Sequence, residues 1–190
     1  MRLNLIPIRD LDVVQKSLYD DMSAGIRENF KGFSAVEKGG ELIGPWNPWL
    51  MFPKFGGPVW ALVKALSTSP ALANSVREVA ILVTGAHFHA AYELYAHGLV
   101  AELQGLSDAK IATIVAGQRP ADLTEHEALS YDMASSLVSG GVLPDLVYRR
   151  AVEAFGTEGA AELIYLTSLY CMVALTLNAF DVPVPEREVS

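Results

Sequence analysis

Cysteine is almost missing from this chain of 190 residues. Its one cysteine, Cys171, excludes an intramolecular disulfide and any thiol relay that needs two cysteines of the same chain. A reducing compartment is therefore expected. The first residues contain no apolar run followed by a small-residue cleavage site, so the sequence predicts no secretory signal and a cytoplasmic protein.

Basic residues are also scarce. The chain has 14 Lys and Arg against 22 Asp and Glu, for a formal net charge of -8. Nucleic-acid binding depends on clustered cations, so nucleic acids and anionic membranes are not expected as partners. Charged residues make up 19% and hydrophobic residues 51% of the chain. A chain of this composition has more apolar side chains than a small monomer readily buries, so we predict a homo-oligomer.

One long stretch lacks charge altogether, residues 163–180. A membrane-spanning helix needs roughly 20 apolar residues, and this stretch approaches that length. However, it contains Thr167, Ser168, Thr176 and Asn178, and no basic residue lies close to either end. The pattern favours a helix buried in a core or an interface over a membrane span.

Apolar residues recur at helical spacing along nearly the whole chain, so we predict one all-α domain. Helix signals include the capping-box spacing of Thr124 and Glu127, a capping Ser107 and a stop at Gly156. The predicted helices cover residues 11–30, 59–66, 107–117, 124–139, 144–156 and 158–180. A further helical stretch begins at Ser69-Pro70, with Asn74 or Ser75 as a candidate cap for the long segment that reaches residue 104. A C-terminal tail follows over residues 183–190.

Glycine, proline and tryptophan concentrate in residues 34–58. Because these residues punctuate helices, the segment is predicted to be an irregular arm. Long irregular segments within a compact domain usually serve a function. Trp46 and Trp49 of this arm are expected to pack in the interior, with a subunit seam or pocket wall as the alternative.

Titratable residues gather in the predicted long helix. At about 100° per residue, Glu78, His89, Glu93 and His97 would share one face, whereas His87 would point away. Glu93 and His97 have the i, i+4 spacing at which a carboxyl and an imidazole can meet. In apolar surroundings such a pair suits proton transfer near neutral pH. A structural hydrogen bond between helical turns is the alternative.

Metal binding is a weaker interpretation of the same residues. His89 and His97 would stand about 12 Å apart along one helix, too far to bind one ion easily. A site formed by one such pair together with another segment stays possible, but we expect no metal. Arg77 is interpreted as either a structural anchor or a clamp for a substrate carboxylate. Cys171, in an apolar helix, is expected to be a protonated, inert thiol.

An ordered series of residues from about residue 40 to residue 182 forms a pattern of its own. Its members are Gly44-Pro45-Trp46-Asn47, Leu50, Pro53, Ser69-Pro70, Arg77-Glu78, Tyr92-Glu93, His97, Gly105-Leu106-Ser107-Asp108, Ile111, Glu162 and the stretch Tyr170 to Asn178. The series resembles the carboxymuconolactone decarboxylase-like family of the alkylhydroperoxidase-like superfamily. That resemblance implies an all-α fold that assembles into trimers or hexamers, with pockets near subunit boundaries.

The resemblance also implies two kinds of chemistry. One branch removes carbon dioxide from a carboxylated lactone during the breakdown of aromatic compounds, and the other reduces peroxides through a Cys-x-x-Cys-x-x-x-His motif. His97 matches the histidine of that motif, but Ala90 and Glu93 occupy the cysteine positions. Neither can form a thiolate, so cysteine-dependent peroxidase chemistry is excluded there. Leu94 and Ala86 depart from the family's usual tryptophan and basic residue.

The leading hypothesis is a lyase that acts on a small carboxylated or lactone metabolite without a cofactor. His97 would donate the proton and Glu93 would tune it. Substrate binding is predicted for Arg77, His89, Tyr92 and Glu78. The alternatives are a peroxidase-related redox protein that uses a metal or partner thiols, and a non-catalytic oligomeric binding protein.

Overall fold

The computed structural model describes residues 1–68 and 70–186. Eight α-helices make up the architecture of these residues, which contain no strand beyond an isolated bridge between Val36 and Leu42. The all-α prediction is confirmed. The helices are α1 (Val13–Asn29), α2 (Trp46–Met51), α3 (Pro53–Ser67), α4 (Asn74–Phe88), α5 (Ala91–Leu103), α6 (Asp108–Val115), α7 (Glu125–Val138) and α8 (Asp145–Ala179).

Side-chain caps fix several helix starts where the sequence predicted them. Thr124 and Glu127 form a complete capping box at α7: the Glu127 amide donates to Thr124 Oγ1, and the Thr124 amide donates to Glu127 Oε2. Ser107 caps α6 by accepting from the Lys110 amide. These bonds satisfy amides that have no partner within the helix.

The predicted break at Gly156 is present as a kink inside α8. Gly156 has φ 72° and ψ 174°, a conformation that is essentially restricted to glycine. A Cβ at this position would meet no atom within 4 Å, so backbone conformation alone requires the glycine.

This kink gives a direct stability prediction. Gly156→Ala should lower the free energy of unfolding by about 1–3 kcal/mol, the usual cost of a non-glycine residue in such a conformation. Chemical denaturation measures the change. Gly57→Ala is the matched control, because Gly57 is helical and a Cβ there also meets nothing within 4 Å. Equal stability of the two variants would contradict the prediction.

The irregular arm predicted for residues 34–58 is wrong over its second half. α2 and the start of α3 occupy residues 46–58. Pro53 is tolerated because it stands in the first turn of α3, where an amide hydrogen has no helical partner. Gly56 serves close packing, since a Cβ there would lie 2.2 Å from the Trp49 carbonyl oxygen.

The single long helix predicted through residue 104 is also wrong. Helical structure is predicted from Ser69-Pro70, with Asn74 or Ser75 as the cap of the long segment; Ser69 lies outside the described residues, Pro70 is not helical, and α4 begins at Asn74. α4 ends at Phe88, His89 takes a left-handed conformation with φ 51°, and α5 begins at Ala91. Histidine tolerates this conformation better than most residues, so neither glycine nor proline is needed for the turn.

Two apolar clusters form the interior, and α8 contributes to both. The first cluster joins α4, α6 and α7 to the first part of α8, through residues such as Leu163 and Leu166. The second joins α1, α2, α3 and α5 to the later part of α8, through Leu169, Val173 and other residues. Tyr170 packs against both clusters, so the seam between them passes through this side chain.

α8 is the one helix among the described residues that is long and apolar enough to cross a membrane. Length and composition alone meet that criterion, and 44% of its most apolar window is buried inside the chain. A core helix of a soluble protein meets the same criterion. Residues 182–186 are not helical, while the rest of the predicted tail, residues 187–190, lies outside the described part.

Candidate functional site

A buried carboxyl–imidazole pair lies at the contact between α4 and α5. Glu78 Oε2 is 2.9 Å from His97 Nδ1, and the two residues are 7% and 9% exposed. An ionised carboxylate can only accept, so Nδ1 carries the hydrogen and donates it. Nε2 of His97 is then the nitrogen available for other partners, and the described residues offer it no hydrogen bond. The turn at His89 produces this contact by folding α5 back onto α4.

Glu93 lies in the same region but does not pair with His97. It is 2% exposed, and neither carboxyl oxygen has a hydrogen-bond partner among the described residues. Burial raises the pKa of Glu93 well above its usual value, and the nearby charge of Glu78 raises it further. Glu93 therefore stays protonated at neutral pH. The predicted i, i+4 bond is absent because the imidazole donates across to α4 instead.

Arg77 pairs with a carboxylate from a distant part of the chain. Its guanidinium binds Glu162 Oε1 on α8. Oε2 of Glu162 accepts from the backbone amides of Ala71 and Leu72, at 2.6 and 3.2 Å. The side chains of Arg77 and Glu162 are only 12% and 9% exposed. This network ties α4 and the preceding loop to α8, as expected of a structural anchor.

Tyr170 stands against the imidazole. The ring centroids of His97 and Tyr170 are 4.8 Å apart, with the rings nearly perpendicular. Burial raises the pKa of Tyr170 well above its usual value; the charges of Glu78 and Glu93 add to the rise and Arg77 opposes it. The phenol therefore keeps its proton. Sequence reasoning assigned Tyr170 no role in the site, and its place in an otherwise apolar helix was the only local signal.

Two cavities meet at His97 and Tyr170. The polar cavity has a volume of about 240 Å³ and is lined by Arg77, Glu78 and Gln104 among others. The apolar cavity is about 30 Å³, room for little more than a water molecule. The wall of the apolar cavity is mainly aromatic and aliphatic, but it also includes the carboxyl group of Glu93. The lining residues are Phe30, Phe33, Pro45, Trp46, Trp49, Val63, Tyr92, Glu93, Ala96, His97, Leu169, Tyr170, Val173 and Leu177.

The remaining predicted site residues are dispersed. His89 is exposed and lines a separate cavity together with His87, so the prediction that it shares a face with His97 is wrong. The break between α4 and α5 is the physical reason. Tyr92 lines the apolar cavity, and its hydroxyl donates to the Ser34 carbonyl at 2.8 Å. Trp46 lines the same cavity with a buried indole nitrogen that has no partner among the described residues.

The described residues contain neither an activated thiol nor a grouped set of metal ligands. Cys171 is partly buried, and burial is the main cause that raises the pKa of its thiol, with the charge of Glu93 adding to the rise. A thiol of raised pKa is a poor nucleophile. Within residues 1–68 and 70–186, no three His, Cys, Asp or Glu side chains are grouped so that they could hold a metal ion.

Comparison with known proteins identifies the fold of this chain but not its family. No protein-family model and no curated protein matches the sequence. Among solved structures, an uncharacterised peroxidase-related protein with the alkylhydroperoxidase AhpD core, from Ralstonia eutropha JMP134, superposes with a TM-score of 0.76. The comparison covers 97% of this chain and 92% of that chain, at 15% identity. This chain has the AhpD-like fold.

Two further solved structures match the same fold. A putative antioxidant defence protein AhpD of unknown function from Agrobacterium tumefaciens gives a TM-score of 0.65 at 15% identity, over 74% of this chain and 97% of its own. A cysteine-to-alanine variant of the debrominase Bmp8, in complex with 2,3,4-tribromopyrrole, gives a TM-score of 0.73 at 14% identity. That comparison covers 97% of this chain and 93% of the debrominase chain. Identities this low establish the AhpD-like fold alone and do not identify the carboxymuconolactone decarboxylase branch.

Proposed function

We propose that this chain is a carboxymuconolactone decarboxylase-like enzyme that acts on a small carboxylated or lactone metabolite by acid–base chemistry without a cofactor. One observation carries the proposal: a buried imidazole is held at Nδ1 by Glu78 and lines a cavity of about 240 Å³. Paired titratable groups beside a cavity are typical of catalytic sites, and burial raises the pKa of the neighbouring Glu93 and Tyr170.

The roles follow from the geometry. Glu78 fixes the orientation of the His97 ring by accepting the Nδ1 hydrogen, as carboxylates do in other imidazole-dependent enzymes. Nε2 then gives a proton to, or takes one from, a carbon of the bound ligand. Where a carboxyl group leaves as carbon dioxide, the electron pair moves into the unsaturated lactone and the proton from Nε2 completes the new carbon–hydrogen bond. Glu93 is a neutral acid beside the same imidazole.

A substrate screen tests this proposal. Unsaturated lactones with and without a carboxyl group are incubated with the protein in deuterium oxide. Proton NMR then follows carbon dioxide loss and deuterium incorporation at carbon. Deuterium entry into one lactone class supports the proposal. If no member of the panel exchanges or reacts above the rate in buffer, the acid–base assignment is wrong.

Glu78 is expected to matter through His97. Glu78→Gln should lower kcat by about 10- to 100-fold with little change in KM, because the amide removes the negative charge and can itself donate to Nδ1, which favours the wrong tautomer of His97. Steady-state kinetics on the substrate from the screen measures the effect. The control is Glu125→Gln, which removes an exposed carboxylate outside both cavities. An unchanged kcat in Glu78→Gln would contradict the assigned role.

A redox function is the second candidate, supported by structural neighbours that are described as peroxidase-related and as a debrominase. Ala90 and Glu93 stand where the Cys-x-x-Cys-x-x-x-His motif of the peroxidases has cysteines, so a redox reaction would need thiols of another protein or a metal. Peroxide consumption measured with added dithiols distinguishes this redox function from the acid–base function. Ligand binding without any turnover would instead support the third candidate, a non-catalytic binding protein.

The proposal includes a cytoplasmic homo-oligomer, a trimer or hexamer. Along α8, Tyr165, Met172 and Leu175 lie on one side and are 59%, 39% and 54% exposed. A second copy of this chain would bury this row. Light scattering should give three or six times the mass of the chain, and Leu175→Glu should shift the mass towards the monomer. Monomeric wild-type protein at micromolar concentration would overturn this part.

A further inference from the structure

Among the described residues, Arg77 supplies the one guanidinium that lines the polar cavity, and it is already neutralised. Arg77 binds Glu162 Oε1, and both side chains are largely buried. Glu162 also accepts two backbone amides, so the carboxylate is held firmly in place. A ligand carboxylate would have to displace a buried partner that is part of the fold. Breaking such a pair leaves an uncompensated charge, which is strongly unfavourable.

The other charged group that lines this cavity is Glu78, and it has the wrong sign for an anion. Glu93 lies beyond His97 and, as a protonated carboxyl, offers no positive charge that would attract an anion. The negative charge of Glu78 also affects Tyr170: beyond the effect of burial, Glu78 raises the pKa more strongly than Arg77 lowers it. A carboxylate that entered the cavity would lose its hydration and meet repulsion from Glu78.

Uncharged hydrogen-bonding groups complete the cavity wall. The Tyr170 hydroxyl and His97 Nε2 have no hydrogen-bond partner among the described residues. At the exposed rim, Asn74 Nδ2 donates to Gln104 Oε1 at 3.1 Å. Hydroxyl, amide and imidazole groups suit carbonyl and hydroxyl oxygens of a ligand, because each can donate or accept without a net charge.

We infer that the polar cavity binds small neutral molecules that bear a carbonyl or amide group, and discriminates against carboxylates. This inference rests on the proposed acid–base function and narrows its substrate class to lactones whose acid group is absent or esterified. For such a ligand the reaction is proton transfer alone: His97 removes a proton from one carbon and returns one to another, so atoms and electrons balance without loss of carbon dioxide.

Charge selectivity can be measured without knowing the substrate. Benzamide and benzoate have nearly the same shape and differ in charge, so their dissociation constants are compared by NMR titration of the His97 resonances. In wild type, benzamide should bind at least about tenfold more tightly than benzoate. Glu162→Gln keeps an oxygen for the backbone amides but frees Arg77, and should tighten benzoate by about tenfold while benzamide changes little.

Two further variants secure the interpretation. Glu158→Gln removes an exposed carboxylate one turn earlier on α8, and it should leave both dissociation constants unchanged. If Glu162→Gln fails to fold, the double variant Arg77→Gln/Glu162→Gln removes both buried charges together. It should retain benzamide binding, because neither charge is needed for a neutral ligand.

Three outcomes would overturn the inference: benzoate binding to wild type as tightly as benzamide, an unchanged preference in Glu162→Gln, or no response of His97 to either compound up to about 50 mM. The proposed function fails differently. Benzamide selectivity without exchange or turnover of any lactone would remove the catalytic proposal and leave a neutral-ligand site.

Discussion

His97→Gln should reduce kcat/KM by about 10²- to 10⁴-fold, the usual contribution of a positioned general acid or base. Glutamine can still donate a hydrogen bond to Glu78, but it cannot take up or release a proton near neutral pH. Steady-state kinetics on the substrate identified by the lactone screen gives the number. Because the packing volume is largely kept, ligand binding should change much less than kcat.

The chain offers a matched control for this substitution. His126 is exposed at the start of α7, and its ring contacts Phe155 rather than either cavity. His126→Gln should retain the wild-type kcat/KM. The role of His97 would be refuted if both variants turned over the substrate equally well while circular dichroism showed both to be folded.

Glu93→Gln should make the chain more stable than wild type at alkaline pH. The ordinary pKa of this carboxyl is 4.5, and burial raises the value well above that in the folded chain. Above pH 4.5 the folded chain therefore holds a proton that the unfolded chain has released. The free energy of unfolding must then fall with rising pH, by about 1.4 kcal/mol per unit, until the pH passes the folded pKa.

Glutamine has no proton to lose and is free of this dependence. Between pH 5 and pH 8 the stability difference between Glu93→Gln and wild type should grow by up to about 4 kcal/mol in favour of the variant. Urea denaturation at several pH values measures it. Glu125→Gln, at an exposed position, should show no comparable trend. A difference that does not vary with pH would mean that Glu93 is ionised in the folded chain.

Helix starts and stops could be predicted wherever their cause is local. The capping box of Thr124, the cap at Ser107 and the kink at Gly156 each depend on residues within one turn of the chain. The helix break at His89 could not be predicted, because no glycine or proline marks it. Its position depends on the packing of α5 against α4. The second half of the arm was missed because prolines in a first turn look like breakers in the sequence.

Sequence reasoning identified several residues of the candidate site, but it did not predict which of them form hydrogen bonds with each other. Helical periodicity placed Glu78 and His97 together, although on one continuous helix that does not exist. The choice of Glu78 rather than Glu93 as the partner of His97 depends on how two separate helices face each other. Glu162 and Tyr170 come from α8, more than 60 residues beyond His97 along the chain, and no spacing rule connects residues at that distance.

The sharing of α8 between the two apolar clusters has a consequence for unfolding. Neither cluster can lose α8 without exposing apolar surface in the other, and Tyr170 belongs to both. The whole chain should therefore melt in one cooperative transition rather than in two steps. Amide hydrogens in the middle of α8 should exchange only through global opening, and a ligand in the polar cavity should slow exchange on both sides of the seam.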